Sequence, residues 1–205
     1  RVLFRSDRSQ NVRLHTNSVL LGLEGEPGRF TASIWRQPTY IDMDRCVACH
    51  ECVEVCPRSA PDEFNQNLNQ RKAAYILYRQ AVPLQYVIDA ENCLRFSRSM
   101  GGACEAVCPA QAINFQDEGS VEQVEVGAVI LAPGLETFDP GDRDIWGYKR
   151  FPDVVTSLEF ERLISASGPD KGRLRRRSDL AEPRRIAWLQ CVGSRDLRRP
   201  VCSNI

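Results

Sequence analysis

The chain has 205 residues, of which 42% are hydrophobic and 26% charged, as in an ordinary globular protein. Basic and acidic residues number 27 each, so no net charge favours nucleic acid or an anionic membrane as a partner. No stretch reaches the roughly 18 apolar residues of a membrane span, and none reads as a signal peptide. Nine cysteines, seven of them in ligand spacing, indicate a reducing compartment, and we expect a cytoplasmic location.

The N-terminal region predicts short strands. Residues 1–6 resemble a translated adapter and are set aside as a non-native artefact. Residues 11–16, 18–24 and 29–35 each alternate apolar and polar side chains, which is the period of a strand, and glycine and proline separate the last two. Two or three strands bury little core, so we expect them to pair with a later segment.

A compact cysteine motif follows. The spacing C-x2-C-x2-C-x3-C-P is typical of the bacterial ferredoxins, whose cysteines bind a 4Fe–4S cluster. Three thiolates two residues apart can bind three irons of one cube, whereas the fourth cysteine ligates the other cluster in two-cluster ferredoxins. The motif comprises Cys46, Cys49, Cys52 and Cys56, before Pro57.

A second, related group consists of Cys93, Cys104 and Cys108, before Pro109. The exchange of fourth ligands predicts cluster I on Cys46, Cys49, Cys52 and Cys108, and cluster II on Cys93, Cys104 and Cys56.

Cluster II then lacks one ligand. Aligning the two groups on their last two cysteines places Gly101 opposite Cys49, and glycine has no side chain to bind a metal. Three alternatives stay open: a 3Fe–4S cluster, a cube with one iron on water or a distant ligand, or a damaged site.

Structural zinc and disulfides account for the cysteines less well. Zinc sites separate their cysteine pairs by roughly a dozen residues or more, unlike this compact run. Disulfides suit a small secreted scaffold, which nothing else in the sequence indicates.

After the cysteines, residues 121–126 alternate again, and the apolar run 127–131 has strand character. Strands therefore stand on both sides of a module of about 80 residues, which we interpret as an insertion in another domain. Residues 157–166 predict an amphipathic helix capped by Ser157, and residues 185–190 predict a buried strand.

Four other residues have no motif around them. Cys191 and Cys202 lack ligand spacing, and Cys191 is more often a buried apolar thiol than a ligand. His15 and His50 are isolated; His50, beside Cys49, could tune cluster I, but exposure to solvent is the simpler expectation.

Several long runs resemble the family of heterodisulfide reductase A subunits, which includes the A subunit of the quinone-interacting membrane-bound oxidoreductase. They cover most of the chain after about residue 10. The matching runs include D-E-F-N-Q-N-L-N-Q-R-K-A-A-Y-I (62–76), Y-V-I-D-A-E-N-C (86–93), C-E-A-V-C-P-A-Q-A-I-N-F (104–115), G-A-V-I-L-A-P-G (127–134), P-D-V-V-T-S-L-E-F-E-R-L-I-S-A-S-G-P (152–169) and I-A-W-L-Q-C-V-G-S-R-D (186–196).

The resemblance implies a mixed α+β and α/β fold, in which a thioredoxin-reductase-like FAD domain is interrupted by a two-cluster ferredoxin-like insert. We then expect an internal fragment that carries no general acid, nucleophile or catalytic triad, with the family's glycine-rich phosphate loop lying upstream. The expected parts are residues 7–37 (FAD domain), 38–117 (ferredoxin-like insert), 118–182 (return to the FAD domain) and 183–205 (start of a truncated nucleotide-type domain).

The family pattern also implies three contacts with FAD. Ala132 and Gly134 follow the strand at which the chain returns to the flavin, and Pro133 replaces the usual threonine between them. Leu20 takes the place where strand backbone would touch the adenine. The family has a cysteine where Gly101 stands, in agreement with the comparison of the two cysteine groups.

The resemblance therefore implies an iron–sulfur flavoprotein that relays electrons between FAD and the other subunits of a heterodisulfide reductase-type or quinone-interacting complex. The alternative is a ferredoxin-like carrier module without flavin, in which the flanking strands are only structural.

Overall fold

The computed structural model describes residues 9–134, 136–142, 144–195, 197 and 200–201. The expectations for residues 1–6 and for Cys202 therefore lie outside the described residues. Within them the chain divides into two compact units. Unit 1 contains the residues up to Phe64 and Gln70–Leu131, and unit 2 contains Asn65–Asn69 and the residues from Ala132 onwards. The domain boundaries expected from the sequence stay predictions.

The elements are short except for three strands and one helix. The strands are β1 (Ser18–Glu26), β2 (Arg29–Arg36), β3 (Ser59–Pro61), β4 (Gln70–Lys72), β5 (Ala74–Tyr75), β6 (Val87–Ile88) and β7 (Ser120–Val126). The helices are α1 (Glu51–Glu54), α2 (Leu94–Arg98), α3 (Ala103–Val107) and α4 (Ser157–Ile164), with 3-10 turns at Glu63–Asn65, Pro140–Asp142 and Asp144–Trp146.

The main sheet joins strands from both sides of the cysteine groups. Its order is β1-β2-β7, and both pairs are antiparallel. Gly25 permits the close approach beside the β1–β2 turn, because its φ is +108° and a Cβ there would lie 2.3 Å from the carbonyl oxygen of Arg29. The strands predicted at 18–24, 29–35 and 121–126 and their pairing across the module are confirmed, whereas the strand predicted at 11–16 is wrong.

Two apolar runs predicted as strands are irregular instead. Residues 127–131 form no strand, and Ile130 is 93% exposed. Residues 185–190 form no strand either, and Trp188 is 61% exposed. Both predictions are wrong for the same physical reason, since neither run has a ladder partner among the described residues.

The cysteine-rich part of unit 1 is closed where the chain enters and leaves it. Ile41 and Ile113 form an antiparallel bridge, and the Asp42 N–H donates to the carbonyl oxygen of Ala112 at 2.7 Å. The buried core beside this bridge is small. It consists of Ile41, Cys52, Ala74, Tyr86, Ile88 and Ala112, and partly buried residues pack on it, among them Cys46, Cys56, Cys93, Cys104 and Cys108.

Asp117 fastens this part of the chain to the sheet. Its carboxylate accepts from the backbone N–H of Thr39 and of Gly119, each at 3.0 Å, and pairs with Arg36 at 3.3 Å. Burial acts to raise the pKa of Asp117, but these donors outweigh it and lower the pKa overall. The carboxylate therefore joins the end of β2 to the start of β7.

Unit 2 contains the longest helix, α4. The predicted helix is confirmed, but its N-cap is Thr156 rather than Ser157. Thr156 and Glu159 form a capping box, in which Thr156 Oγ1 accepts from the Glu159 N–H and Glu159 accepts from the Thr156 N–H. Tyr148 also donates to Glu159, at 2.8 Å, and burial together with this bond raises the pKa of Tyr148 to about 12.

The loop Asn65–Asn69 belongs to unit 2 although its neighbours in sequence belong to unit 1. Arg162 on α4 donates to the side-chain oxygen of Asn65 at 2.9 Å, and Arg177 donates to the carbonyl oxygen of Leu68 at 3.1 Å. These bonds anchor the loop to other residues of unit 2.

Candidate metal centre

The first cysteine motif lies on a tight loop that runs into α1. Asp42 begins the loop: its carbonyl oxygen accepts from the Cys46 N–H at 3.0 Å, and its carboxylate accepts from the Asp44 N–H at 2.9 Å. Ala48 and His50 both have positive φ, of 53° and 77°, so the backbone reverses direction around Cys49. Cys52 then lies within α1 and is buried.

The second group is carried by α2 and α3. Cys93 is the N-cap of α2, Cys104 lies within α3, and Cys108 ends α3 just before Pro109. The Ala112 N–H donates to the sulfur of Cys108 at 3.3 Å. Hydrogen bonds of this kind to a ligand sulfur are one of the means by which a protein tunes a cluster.

Four cysteines from the two groups line one cavity. They are Cys46, Cys49 and Cys52 from the first and Cys108 from the second, with His50, Tyr86 and apolar side chains around them. This is the donor set that the sequence predicts for cluster I. Four thiols in one place are the donor set of a 4Fe–4S cube, so the residues fit that group.

The thiols interact electrostatically as a group. Burial, with smaller contributions from the nearby Cys104, Cys46, Cys49 and Cys108, raises the pKa of Cys52 to about 12. Only thiolates bind iron, so cluster binding must release protons from this group. Thiolates so close together repel one another, and bound iron would compensate their charge.

The remaining three predicted ligands are also neighbours. Burial is the main cause that raises the pKa of Cys104. The nearby Cys93 and Cys56 also raise this pKa, whereas backbone hydrogen bonds lower it. Gly101 has a φ of +102°, and a Cβ there would meet only Leu94 and Arg95 atoms at 3.8 Å. The predicted vacant ligand position thus has room for a side chain.

The thiols do not converge as ligands of a single ion. Among the described residues, no group of three or more His, Cys, Asp or Glu side chains is placed to hold one metal ion. A cube sets a different requirement, because each of its irons binds a separate thiolate.

The residues implied in flavin binding lie in both units. Leu20 is in β1 of unit 1, opposite Ile34, and is exposed. Ala132 and Gly134 belong to unit 2, and Gly134 has a φ of +80° with no atom within 4 Å of an added Cβ. Their contact with FAD stays a prediction. Cys191 is half-buried in unit 2.

Sequence reasoning missed the surroundings of His50. The expected exposure to solvent is confirmed, but the ring also has two partners: Nδ1 lies 2.7 Å from the Tyr86 hydroxyl and Nε2 lies 3.2 Å from a Glu54 carboxylate oxygen. The i,i+4 spacing of His50 and Glu54 could have indicated the second contact. The first joins residues 36 positions apart, which no local pattern reveals.

Comparison with known protein families supports an iron–sulfur site. Residues 39–62, which contain the first cysteine motif, match the family described as a 4Fe–4S binding domain. The chain is therefore an iron–sulfur protein of the 4Fe–4S class. Among the described residues no helix is long and apolar enough to cross a membrane.

Relatives cover nearly the whole chain. One is the second iron-sulfur A subunit of CoB–CoM heterodisulfide reductase from Methanopyrus kandleri, 46% identical over 95% of the chain and 29% of the relative. Another is the A subunit of H(2):CoB-CoM heterodisulfide,ferredoxin reductase from Methanothermobacter thermautotrophicus, 38% identical over 97% of the chain and 30% of the relative. The iron-sulfur A subunit of the Methanocaldococcus jannaschii enzyme is 39% identical over 95% of the chain.

The chain is thus a homologue of the heterodisulfide reductase A subunits along almost all of its length, as the sequence resemblance predicted. It spans about 30% of the length of those relatives.

Proposed function

We propose that the chain is an electron-transfer segment of a heterodisulfide reductase-type oxidoreductase. One observation carries the proposal: four thiols, contributed by both cysteine groups, line a single cavity. A 4Fe–4S cluster held there would supply one-electron transfer. The chain's own contribution is to place the thiols, to bury Cys52 and to direct the Ala112 N–H at the sulfur of Cys108.

The ligand sets follow the crossed arrangement. Cluster I is assigned to Cys46, Cys49, Cys52 and Cys108, and cluster II to Cys93, Cys104 and Cys56 with an open position at Gly101. Cys104 interacts electrostatically with Cys93 and Cys56 but also with Cys52 of the first set, so the division into two sets rests on the paired-motif rule. A 3Fe–4S cluster, a cube with one iron on water or a distant ligand, and a damaged site all stay compatible with three thiols.

The proposal also includes FAD as a cofactor and further subunits as partners. The family resemblance supports FAD near Leu20, Ala132 and Gly134, where the positive φ of Gly134 leaves the backbone open to close approach. The relatives are named as A subunits, which supports further subunits as electron partners. Cysteines in ligand spacing support a reducing compartment such as the cytoplasm.

Cysteine exchange combined with low-temperature EPR tests the ligand sets. Protein reconstituted anaerobically with iron and sulfide is measured as prepared and after dithionite. We expect Cys108→Ser to alter the signal of cluster I and to spare cluster II, and Cys56→Ser to do the reverse. Cys191→Ser, outside both groups, is the matched control: it should leave cluster I unchanged, and a change in cluster II would identify Cys191 as its distant ligand.

The outcomes separate the alternatives. If Cys56→Ser alters the cluster bound by Cys46 and Cys49, the crossed assignment is wrong. If the protein binds no iron, the electron-transfer proposal fails altogether. Flavin analysis of the purified full-length protein distinguishes the flavoprotein from a flavin-free ferredoxin-like carrier.

A further inference from the structure

His50 has a left-handed backbone conformation, which few residues other than glycine adopt. Its φ of 77° and ψ of −10° lie in the left-handed region, where glycine is the usual residue and other residues are uncommon. The position directly follows Cys49 and is the N-cap of α1, yet its side chain caps no backbone N–H of that helix. Unfavourable backbone geometry persists only where the surroundings enforce it, and such residues concentrate at functional sites.

Two partners fix the imidazole ring. The Tyr86 hydroxyl lies 2.7 Å from Nδ1, and a Glu54 carboxylate oxygen lies 3.2 Å from Nε2. Since a carboxylate can only accept, Nε2 carries the proton that Glu54 accepts, and Nδ1 then accepts from the Tyr86 O–H. Each ring nitrogen therefore has one complementary partner, and the ring cannot turn without losing both bonds.

His50 borders the thiol cavity. His50 and Tyr86 line the same cavity as Cys46, Cys49, Cys52 and Cys108. Tyr86 is 7% exposed and belongs to the buried core with Cys52, whereas the His50 side chain is about half exposed. Tyr86 is thus the buried support of the pair, and His50 is its solvent-facing member.

We propose that His50 limits the access of water to cluster I, and that Tyr86 is the positioning residue that holds His50 in place. This inference rests on the proposed function, since it requires a cluster bound by the four thiols. Solvent exposure and hydrogen bonding to the sulfurs are among the factors that set a cluster's reduction potential. Water stabilises the more negative, reduced state, so exclusion of water makes reduction harder.

The test compares His50→Gly and Tyr86→Phe with the wild-type chain. Glycine suits the left-handed backbone, and phenylalanine retains the buried ring, so both variants should fold and bind iron. Tyr78→Phe is the matched control, because Tyr78 stacks on Phe64 and does not line this cavity. Midpoint potentials come from EPR-monitored redox titration at one fixed pH, and water access from deuterium coupling to the reduced cluster in D2O.

We expect His50→Gly to increase the deuterium coupling and to shift the midpoint potential of cluster I to a less negative value. Tyr86→Phe should change both quantities in the same direction but less, and Tyr78→Phe should match the wild type. Unchanged coupling and potential in His50→Gly, at wild-type iron content, would overturn the inference while leaving the proposed function intact. A wild-type chain with no reducible 4Fe–4S signal would overturn both.

Discussion

At the scale of single residues, Gly101 leaves the proposed cluster II with three thiolates. The comparison of the two cysteine groups and the family resemblance both place a ligand cysteine here. A Cβ at this position would meet Leu94 and Arg95 atoms at 3.8 Å, which is ordinary van der Waals contact. The obstacle to a side chain is therefore the φ of +102° rather than a lack of space.

We accordingly predict that Gly101→Cys supplies the missing thiolate. Iron content should rise, and the signal of cluster II should become that of a reducible 4Fe–4S cube, because a fourth thiolate can retain a fourth iron. Iron and sulfide analysis with EPR before and after reduction measures the change.

Gly101→Ala is the control for this prediction, since it imposes the same backbone strain without a ligand. It should keep the iron content of the wild type. A Gly101→Cys variant with the same iron content and the same EPR spectra as Gly101→Ala would show that another residue already completes cluster II, or that the site is damaged.

At the scale of elements, the start of α4 shows what a sequence pattern can and cannot locate. The hydrophobic spacing predicted the helix, and the structure confirms it within about two residues, the usual uncertainty at helix ends. The pattern also placed the cap at Ser157, one position too late. Thr156 makes the reciprocal bonds with Glu159, three residues further on, so the capping-box spacing in the sequence marks Thr156 as the cap.

We predict that Thr156→Ala lowers the free energy of unfolding by about 1 kcal/mol, because the Glu159 N–H loses its side-chain acceptor. Ser157→Ala is the matched control and should stay close to the wild type, since the cap belongs to the preceding residue. Denaturant unfolding followed by circular dichroism compares the two. Equal losses in both variants would contradict the assignment of the cap.

The predicted strands are confirmed only where another segment of the chain supplies a partner strand. β1, β2 and β7 alternate and pair with each other, so local pattern and tertiary structure agree. Residues 127–131 and 185–190 have equally apolar sequences but no ladder partner among the described residues. A hydrophobic pattern indicates that a segment can form a strand. It contains no information on whether a partner strand is present.

In the candidate site, too, local spacing predicted some features, whereas others depend on tertiary packing. The spacing of Cys46, Cys49 and Cys52 identified a cluster motif, since ligands close in sequence must be close in space. The inclusion of Cys108 came from a rule about paired motifs, and the structure places it at the same cavity. The contact of His50 with Tyr86 depends on how separate loops pack, and no spacing rule could have found it.

At the scale of the whole molecule, unit 1 depends on the site for much of its interior. Its buried core includes Cys52 and small residues such as Ala74 and Ala112, and most of the other motif cysteines pack against that core. A core of this kind provides little apolar area, and iron bound by its thiols would cross-link segments far apart in sequence. Unit 2 contains none of the seven motif cysteines.

Removal of iron should therefore affect the units differently. We predict that oxidising the protein in the presence of a chelator abolishes hydrogen-exchange protection around α1 and α3, because the cysteines near these helices lose the iron that they bind. Protection of α4 should persist, because its capping box and the Arg162–Asn65 bond involve no motif cysteine. Hydrogen exchange read by mass spectrometry on holo and iron-free protein provides the comparison, with α4 peptides as the internal control. Equal protection of α1 and α3 in both samples would mean that the small apolar core suffices without a metal, and simultaneous loss in α4 would mean that the two units unfold cooperatively.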